Sequence, residues 1–190
     1  MMRNLVVFTL LATGLWQAGQ GATVQLKAWL GQQLLERAWV QASASDQPAL
    51  PWPGAVSHPV ARLRVPELAI DQLVLDGADT PVLAWGPGME IGLNGHRLIA
   101  AHRDTHFRFL QYLVEDQVLE LESRDGSVGR WQVVERRIVD SRRYLLDMDL
   151  AEERLTLVTC YPFNASAAGG PLRLVIGLRP LPQGEQGSRT

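Results

Sequence analysis

Residues 154–162, Arg154-Leu155-Thr156-Leu157-Val158-Thr159-Cys160-Tyr161-Pro162, alternate side chains with period two until a proline stops them. Leu155, Leu157 and Thr159 fall on one face of the strand this spells, and Thr156, Val158 and Cys160 on the other. Pro162 has no N–H to give to a sheet ladder, so Cys160 ends the strand. A cysteine in that position is either a small apolar filler or a thiol offered to a ligand.

Working outward, the same short-strand pattern recurs. Val60–Val65, Leu68–Leu75, Leu98–His102, Gln117–Leu121, Trp131–Val139 and Leu172–Leu178 each carry it, with turn pairs such as Asp125-Gly126 and Gly169-Gly170 between them. Short helices are expected near Thr80–Trp85 and Phe107–Leu113. About seven or eight short strands with few helices fit a closed or nearly closed β-barrel. That domain spans residues 60–182, and residues 183–190 form a polar tail.

The N-terminus has a different character. Arg3 and the α-amino group precede an uncharged, mostly apolar run, Leu5–Ala18, which is shorter than the ~20 residues of an ideal spanning helix. It fits the apolar region of an export signal, with Gly19, Gly21 and Ala22 marking a cleavage site. It equally fits a retained signal anchor, because no charge falls between Arg3 and Lys27. Residues 1–22 are therefore assigned to a signal or membrane anchor. Residues 23–41 form an amphipathic helix in which Leu26, Leu30, Leu34 and Ala38 recur at i+4, with Trp29, Leu35 and Trp39 alongside. That helix lies either at a membrane surface or against the main domain. Residues 42–59, with Pro48, Pro51, Pro53 and Pro59, read as a linker.

Composition narrows the classes. Apolar residues are 46% and charged residues 20%, as in a globular domain, and the net charge of -2 offers no basic excess for nucleic acid. One cysteine excludes an intrachain disulfide and a four-cysteine zinc site. In an oxidising compartment a lone thiol is a liability unless it is buried or used.

Four histidines are available to activate the thiol, whose free pKa is about 8.5. His58 lies in the proline-rich segment and is set aside. His102 ends an apolar strand much as Cys160 does, and is preferred over His96. His102 and His106 have the i, i+4 spacing of a zinc-binding helix, but Arg103 stands where that motif needs glutamate. No metal and no cofactor are expected. Arg173 starts the last strand, pointing away from Leu172, Leu174 and Ile176. The strand–loop–strand path from Cys160 is able to return it beside the thiol, where a guanidinium would stabilise thiolate and oxyanion.

These residues resemble a known pattern. Thr156-Leu157-Val158-Thr159-Cys160 is similar to the sortase TLxTC signature. Ala100-Ala101-His102-Arg103-Asp104 resembles the segment carrying the sortase histidine, and Leu172-Arg173-Leu174-Val175 the strand carrying its arginine. The strings HRDTHFRFL and TLVTCYPF look most like the sortases of Gram-negative bacteria. The resemblance implies an eight-stranded sortase β-barrel acting as a cysteine transpeptidase on a C-terminal LPxTG-like sorting signal of an exported protein. In that scheme Cys160 is the nucleophile, His102 the general acid/base and Arg173 the oxyanion and positioning residue. Thr159, Asp104 and Thr105 are expected to contact substrate. The product passes through a thioester to an amine acceptor, or to water. The enzyme is expected to be a monomer held at the inner membrane with its barrel facing the periplasm. The short loop Tyr161–Pro171 leaves little room for a specificity helix.

Two rivals fit less well. A papain-like hydrolase starts a helix with its cysteine, ahead of its histidine, and an L,D-transpeptidase carries it in an SxGC-type turn. The remaining alternative is a non-catalytic periplasmic β-barrel that binds a peptide.

Overall fold

The computed structural model describes residues 2–45, 47–149, 152–165 and 169–182. A long helix, α1 (Met2–Ser45), comes first. The strands and one short helix follow as β1 (Pro59–Val65), β2 (Ile70–Asp76), α2 (Thr80–Leu83), β3 (Gly88–Ile91), β4 (Arg97–Ala100), β5 (Val118–Ser123), β6 (Val128–Asp140), β7 (Leu155–Cys160) and β8 (Leu172–Leu181). The eight strands close into a barrel in the order β1-β2-β3-β4-β7-β8-β6-β5. Neighbours run antiparallel except for the parallel pairs β2–β3 and β4–β7.

Alternation explains the closure. Ala61, Leu63 and Val65 of β1 point inward, and Leu119, Leu121, Trp131, Val133, Leu155, Leu157, Leu174 and Ile176 complete the interior. Full burial of each such aliphatic chain stabilises by about 1.5–3 kcal/mol. Phe107 and Leu110, from the turns between β4 and β5, plug one end and are wholly buried.

The structure departs from the sequence reading at several places. β3 was not anticipated: four residues flanked by Pro87 and Gly92 carry no readable alternation, and the strand is recruited by its two neighbours. β2 starts at Ile70, because Pro66–Leu68 form a 3-10 turn closed by Ala69 at a φ of 53°. The expected helix at Phe107–Leu113 is a 3-10 turn, Arg108–Tyr112. The proline-rich segment is no free linker. Ala49 is buried, and the Trp52 ring lies 4.7 Å from that of Trp85.

α1 is one continuous helix where the sequence was divided into anchor and amphipathic parts. Its buried stripe is Gly31, Leu35, Ala38, Trp39 and Ala42, the i, i+4, i+7, i+8, i+11 positions of one face. Leu35 and Trp39 pack with Leu73, Leu75 and Val82. Glu36 pairs with Arg62, and Gln32 donates to the Trp85 carbonyl at 2.9 Å. Trp29, Leu30, Leu26, Trp16, Leu11 and Leu10 remain exposed. Among the described residues no helix is long and apolar enough to cross a membrane.

Gly31 is the tightest point of this docking, since a Cβ there would lie 2.6 Å from the Trp85 ring. Gly31→Leu is expected to lower unfolding free energy by about 1–3 kcal/mol in urea titration. Gly19→Ala, whose methyl meets open space, is expected to cause no loss.

Candidate active site

The strand registers decide where the chemistry-bearing residues meet. β7 lies between β4 and β8, and Cys160 is the direct register partner of Arg173. On the other side Ala100 pairs with Val158, and Ala101 N–H donates to the Val158 carbonyl at 3.3 Å. His102 lies two residues past the last pair of this ladder, and it lines one cleft with Cys160. Neighbouring strands sit about 4.8 Å apart, so imidazole, thiol and guanidinium start from one row about 10 Å wide. The row lies on the outer face of the barrel, since Leu155 and Leu157 of the opposite face fill its interior.

Cys160 is half-buried and His102 exposed. Both line a cleft of about 290 Å³, with Thr105 and Asp104 on one side and Pro162, Ala165, Gly169 and Gly170 on the other. Arg173 is aimed at the cleft wall: its Nη1 donates to the carbonyls of Gly170 at 2.6 Å and Leu172 at 2.9 Å. Residues 166–168 of the loop given to Tyr161–Pro171 lie outside the described residues.

Thr159 is a correction. Its side chain is buried, and its hydroxyl donates to the Ala101 carbonyl at 2.8 Å. Facing inward, it holds the end of β4 beside β7 and does not offer its hydroxyl to a substrate. Asp104 lines the cleft, but its carboxylate is engaged by Arg103, Nε to Oδ1 at 2.7 Å and Nη2 to Oδ2 at 2.8 Å. That hydrogen bond is the main reason the carboxyl sits below its ordinary range, with smaller contributions from the charges of Arg103, Arg108 and His102.

Arg103 itself escaped the sequence reading. Its side chain is only 7% exposed, and it also donates to the carbonyls of Pro162 at 2.6 Å and Ala165 at 3.2 Å. It therefore ties the loop after His102 to the loop after Cys160. Its pKa is raised, chiefly by the hydrogen bond to Asp104, against desolvation and with smaller help from the charges of Asp104 and Cys160. The signal available in the sequence was its place between two candidate residues at a strand end.

His96 lies elsewhere. It is fully buried, with Nε2 2.8 Å from the Thr156 hydroxyl and Nδ1 3.1 Å from the Asp147 carbonyl. Thr156 is four strand residues from Cys160, about 13 Å away. Burial pushes the His96 pKa down. Burial, and the neighbouring His102, do the same to His106. Among the described residues no three histidine, cysteine, aspartate or glutamate side chains gather as metal ligands would.

Fold and site together define an outward-facing thiol on a closed barrel, with an arginine as its register partner on one neighbouring strand and a histidine, past the end of another, lining the same cleft. A family model described as the sortase domain matches residues 63–180. Sortase D of Bacillus subtilis (strain 168) is 28% identical over 120 residues, which is 60% of this chain and 60% of that protein. The chain thus spans about 60% of the length of this curated relative. Among solved structures, the Sortase D5 transpeptidase of Clostridium perfringens aligns with a TM-score of 0.62 at 16% identity, covering 80% of this chain and 98% of that one. Sortase A of Corynebacterium diphtheriae aligns with a TM-score of 0.56 at 20% identity, covering 70% and 66%. The chain belongs to the sortase family.

Two outcomes follow from this geometry. Arg103→Met is expected to speed amide hydrogen exchange in both 103–107 and 161–165, because one side chain holds both loops. Burial lowers the proton affinity of His96 and His106, so the unfolded chain binds protons more readily. Stability is then full above the ordinary histidine value of 6.5 and is lost as pH falls below it. Urea midpoints measured from about pH 8 to about pH 5 should fall, and His96→Gln should flatten part of that slope.

Proposed function

We propose that the protein is a cysteine transpeptidase that cleaves a C-terminal LPxTG-like sorting signal of an exported protein. The observation that carries this reading is the meeting of His102, just past the end of β4, with Cys160 in one cleft, and of Cys160 with its register partner Arg173, whose guanidinium binds the cleft-wall residue Gly170. Membership of the sortase family supports it.

The thiolate of Cys160 attacks the threonine carbonyl carbon of the Thr–Gly bond. A carbon–sulfur bond forms, and negative charge moves to the carbonyl oxygen, which the Arg173 guanidinium stabilises. As the tetrahedral intermediate collapses, the carbon–nitrogen bond breaks and protonated His102 gives its proton to the leaving amine. The substrate is left as a thioester on Cys160. An incoming amine then attacks that carbon and gives its proton back to His102, and the carbon–sulfur bond breaks to release the thiolate. Water in place of the amine gives hydrolysis. Thr105, exposed on the cleft wall, contacts the peptide.

The reading places the barrel on the periplasmic side of the inner membrane, tethered by the first part of α1. The uncharged run from Asn4 to Leu26, and the exposed Val7, Leu10, Leu11 and Trp16, support this placement.

Incubation of the full chain with LPxTG-type peptides should give a thioester adduct detectable by mass, absent in Cys160→Ala. His102→Ala and Arg173→Ala should each lower turnover by at least about 100-fold. A wild-type thiol that reacts with a labelling reagent only after urea unfolding would remove the enzymatic reading.

A further inference from the structure

A second, larger hollow of about 680 Å³ opens on the far side of the Arg103 clamp from Cys160. Arg103, Asp104, Tyr161 and Pro162 line both hollows, so one wall of the first is the back of the second. The remaining walls come from the 3-10 turn carrying Arg108 and from β6, which supplies Arg136.

Charge is the notable property of this hollow. Three guanidinium groups face one carboxylate, that of Asp104, and Arg103 already holds both its oxygens. Among the described residues neither Arg108 nor Arg136 is in a salt bridge, and Arg108 shares with Arg103 the charge of the single Asp104 carboxylate. Arg136 makes one long contact, 3.4 Å, to the Gln111 carbonyl. Three guanidinium groups against one carboxylate in a concave site leave a net positive potential. Guanidinium geometry matches a carboxylate in bidentate fashion. The aromatic rings of Tyr161 and Phe163 supply apolar walls beside these charges.

We propose that this hollow is a carboxylate-binding subsite adjoining the Cys160 cleft, in which Arg108 and Arg136 take an acidic group carried by the reacting peptide or by the acceptor amine. The inference rests on the transpeptidase reading for the identity of its ligand, but not for the binding itself. The clamp is the physical link. A carboxylate seated beside Arg103 lies against the wall that carries Pro162 and Asp104, and so helps position whatever reaches Cys160.

The test has two independent parts, both on the full chain. In the first, arginine Nε–Hε resonances are followed by NMR while the α-amide of N-acetyl-glutamate or of N-acetyl-glutamine is added, so that only the first carries a carboxylate. The signals of Arg108 and Arg136 should shift with the acid and not with the amide, and the effect should weaken with salt. In the second, LPxTG-type peptides with glutamate or glutamine after the scissile bond are compared. Glycyl-glutamate α-amide and glycyl-glutamine α-amide are compared as acceptors. One arm should favour the acid by about tenfold in kcat/KM, the worth of one charge-assisted hydrogen bond. The Arg108→Gln/Arg136→Gln variant should bring that ratio near unity while still forming the thioester with the glutamine peptide.

Preference in the peptide arm assigns the carboxylate to the sorting signal, and preference in the acceptor arm assigns it to the amine. No shift with the acid in the NMR titration overturns the subsite, whatever the enzyme does. Acid-specific shifts with no thioester on any peptide sink the transpeptidase reading and leave the carboxylate site standing.

Discussion

β7 is held on both sides, and the site depends on that double hold. Its parallel ladder to β4 and antiparallel ladder to β8 leave no freedom to slip. A shift of one residue would turn Cys160 into the barrel and bring Thr159 out, because strand side chains alternate. What opposes the shift is mundane: Leu155 and Leu157 are completely buried, and a slip would hand both to solvent. The Thr159 hydroxyl on the Ala101 carbonyl adds a polar tie at the end of the strand, where the apolar packing runs out. Core packing thus determines which residue faces outward at the end of β7, where Cys160 stands.

The loops that wall the cleft need their own constraint, because neither belongs to the sheet. Phe107 anchors one by filling the end of the barrel. Arg103 joins it to the other through two backbone carbonyls and keeps its charge balanced by Asp104. A guanidinium suits this task since its fork reaches several acceptors in different directions at once. The same arrangement brings the charge of Arg103 within electrostatic reach of Cys160.

Much of this was legible in the sequence, and what was not had physical causes. The period-two pattern around Cys160 placed it correctly on the face opposite Leu155 and Leu157. Position alone made His102 preferable to His96, whose ring is sealed beneath the β6–β7 connection. β3 escaped because a strand of four residues has too few alternations to read and owes its existence to its neighbours. Thr159 was misjudged since adjacency in sequence to Cys160 means opposition in a strand. Arg103, Arg108 and Arg136 were invisible as a group: their meeting depends on loop paths, which no local pattern records. The proline-rich segment looked like a tether because composition reports backbone preference and is blind to the pocket that receives Trp52.

The seating of Gly31 against the Trp85 ring makes α1 a lever with a fixed fulcrum. At about 1.5 Å per residue, the part of the helix before Gly31 is about 45 Å long, and of it Gln25, Lys27, Ala28 and Trp29 share a hollow with Trp85, Thr105 and His106. A tilt of ~10° at the fulcrum would sweep the far tip by ~8 Å on that geometry. The converse matters more: whatever grips the tip dictates the bearing of the cleft. Gly31, Leu35 and Trp39 seat the helix on the barrel, so the heading of its far end and that of the cleft are set together.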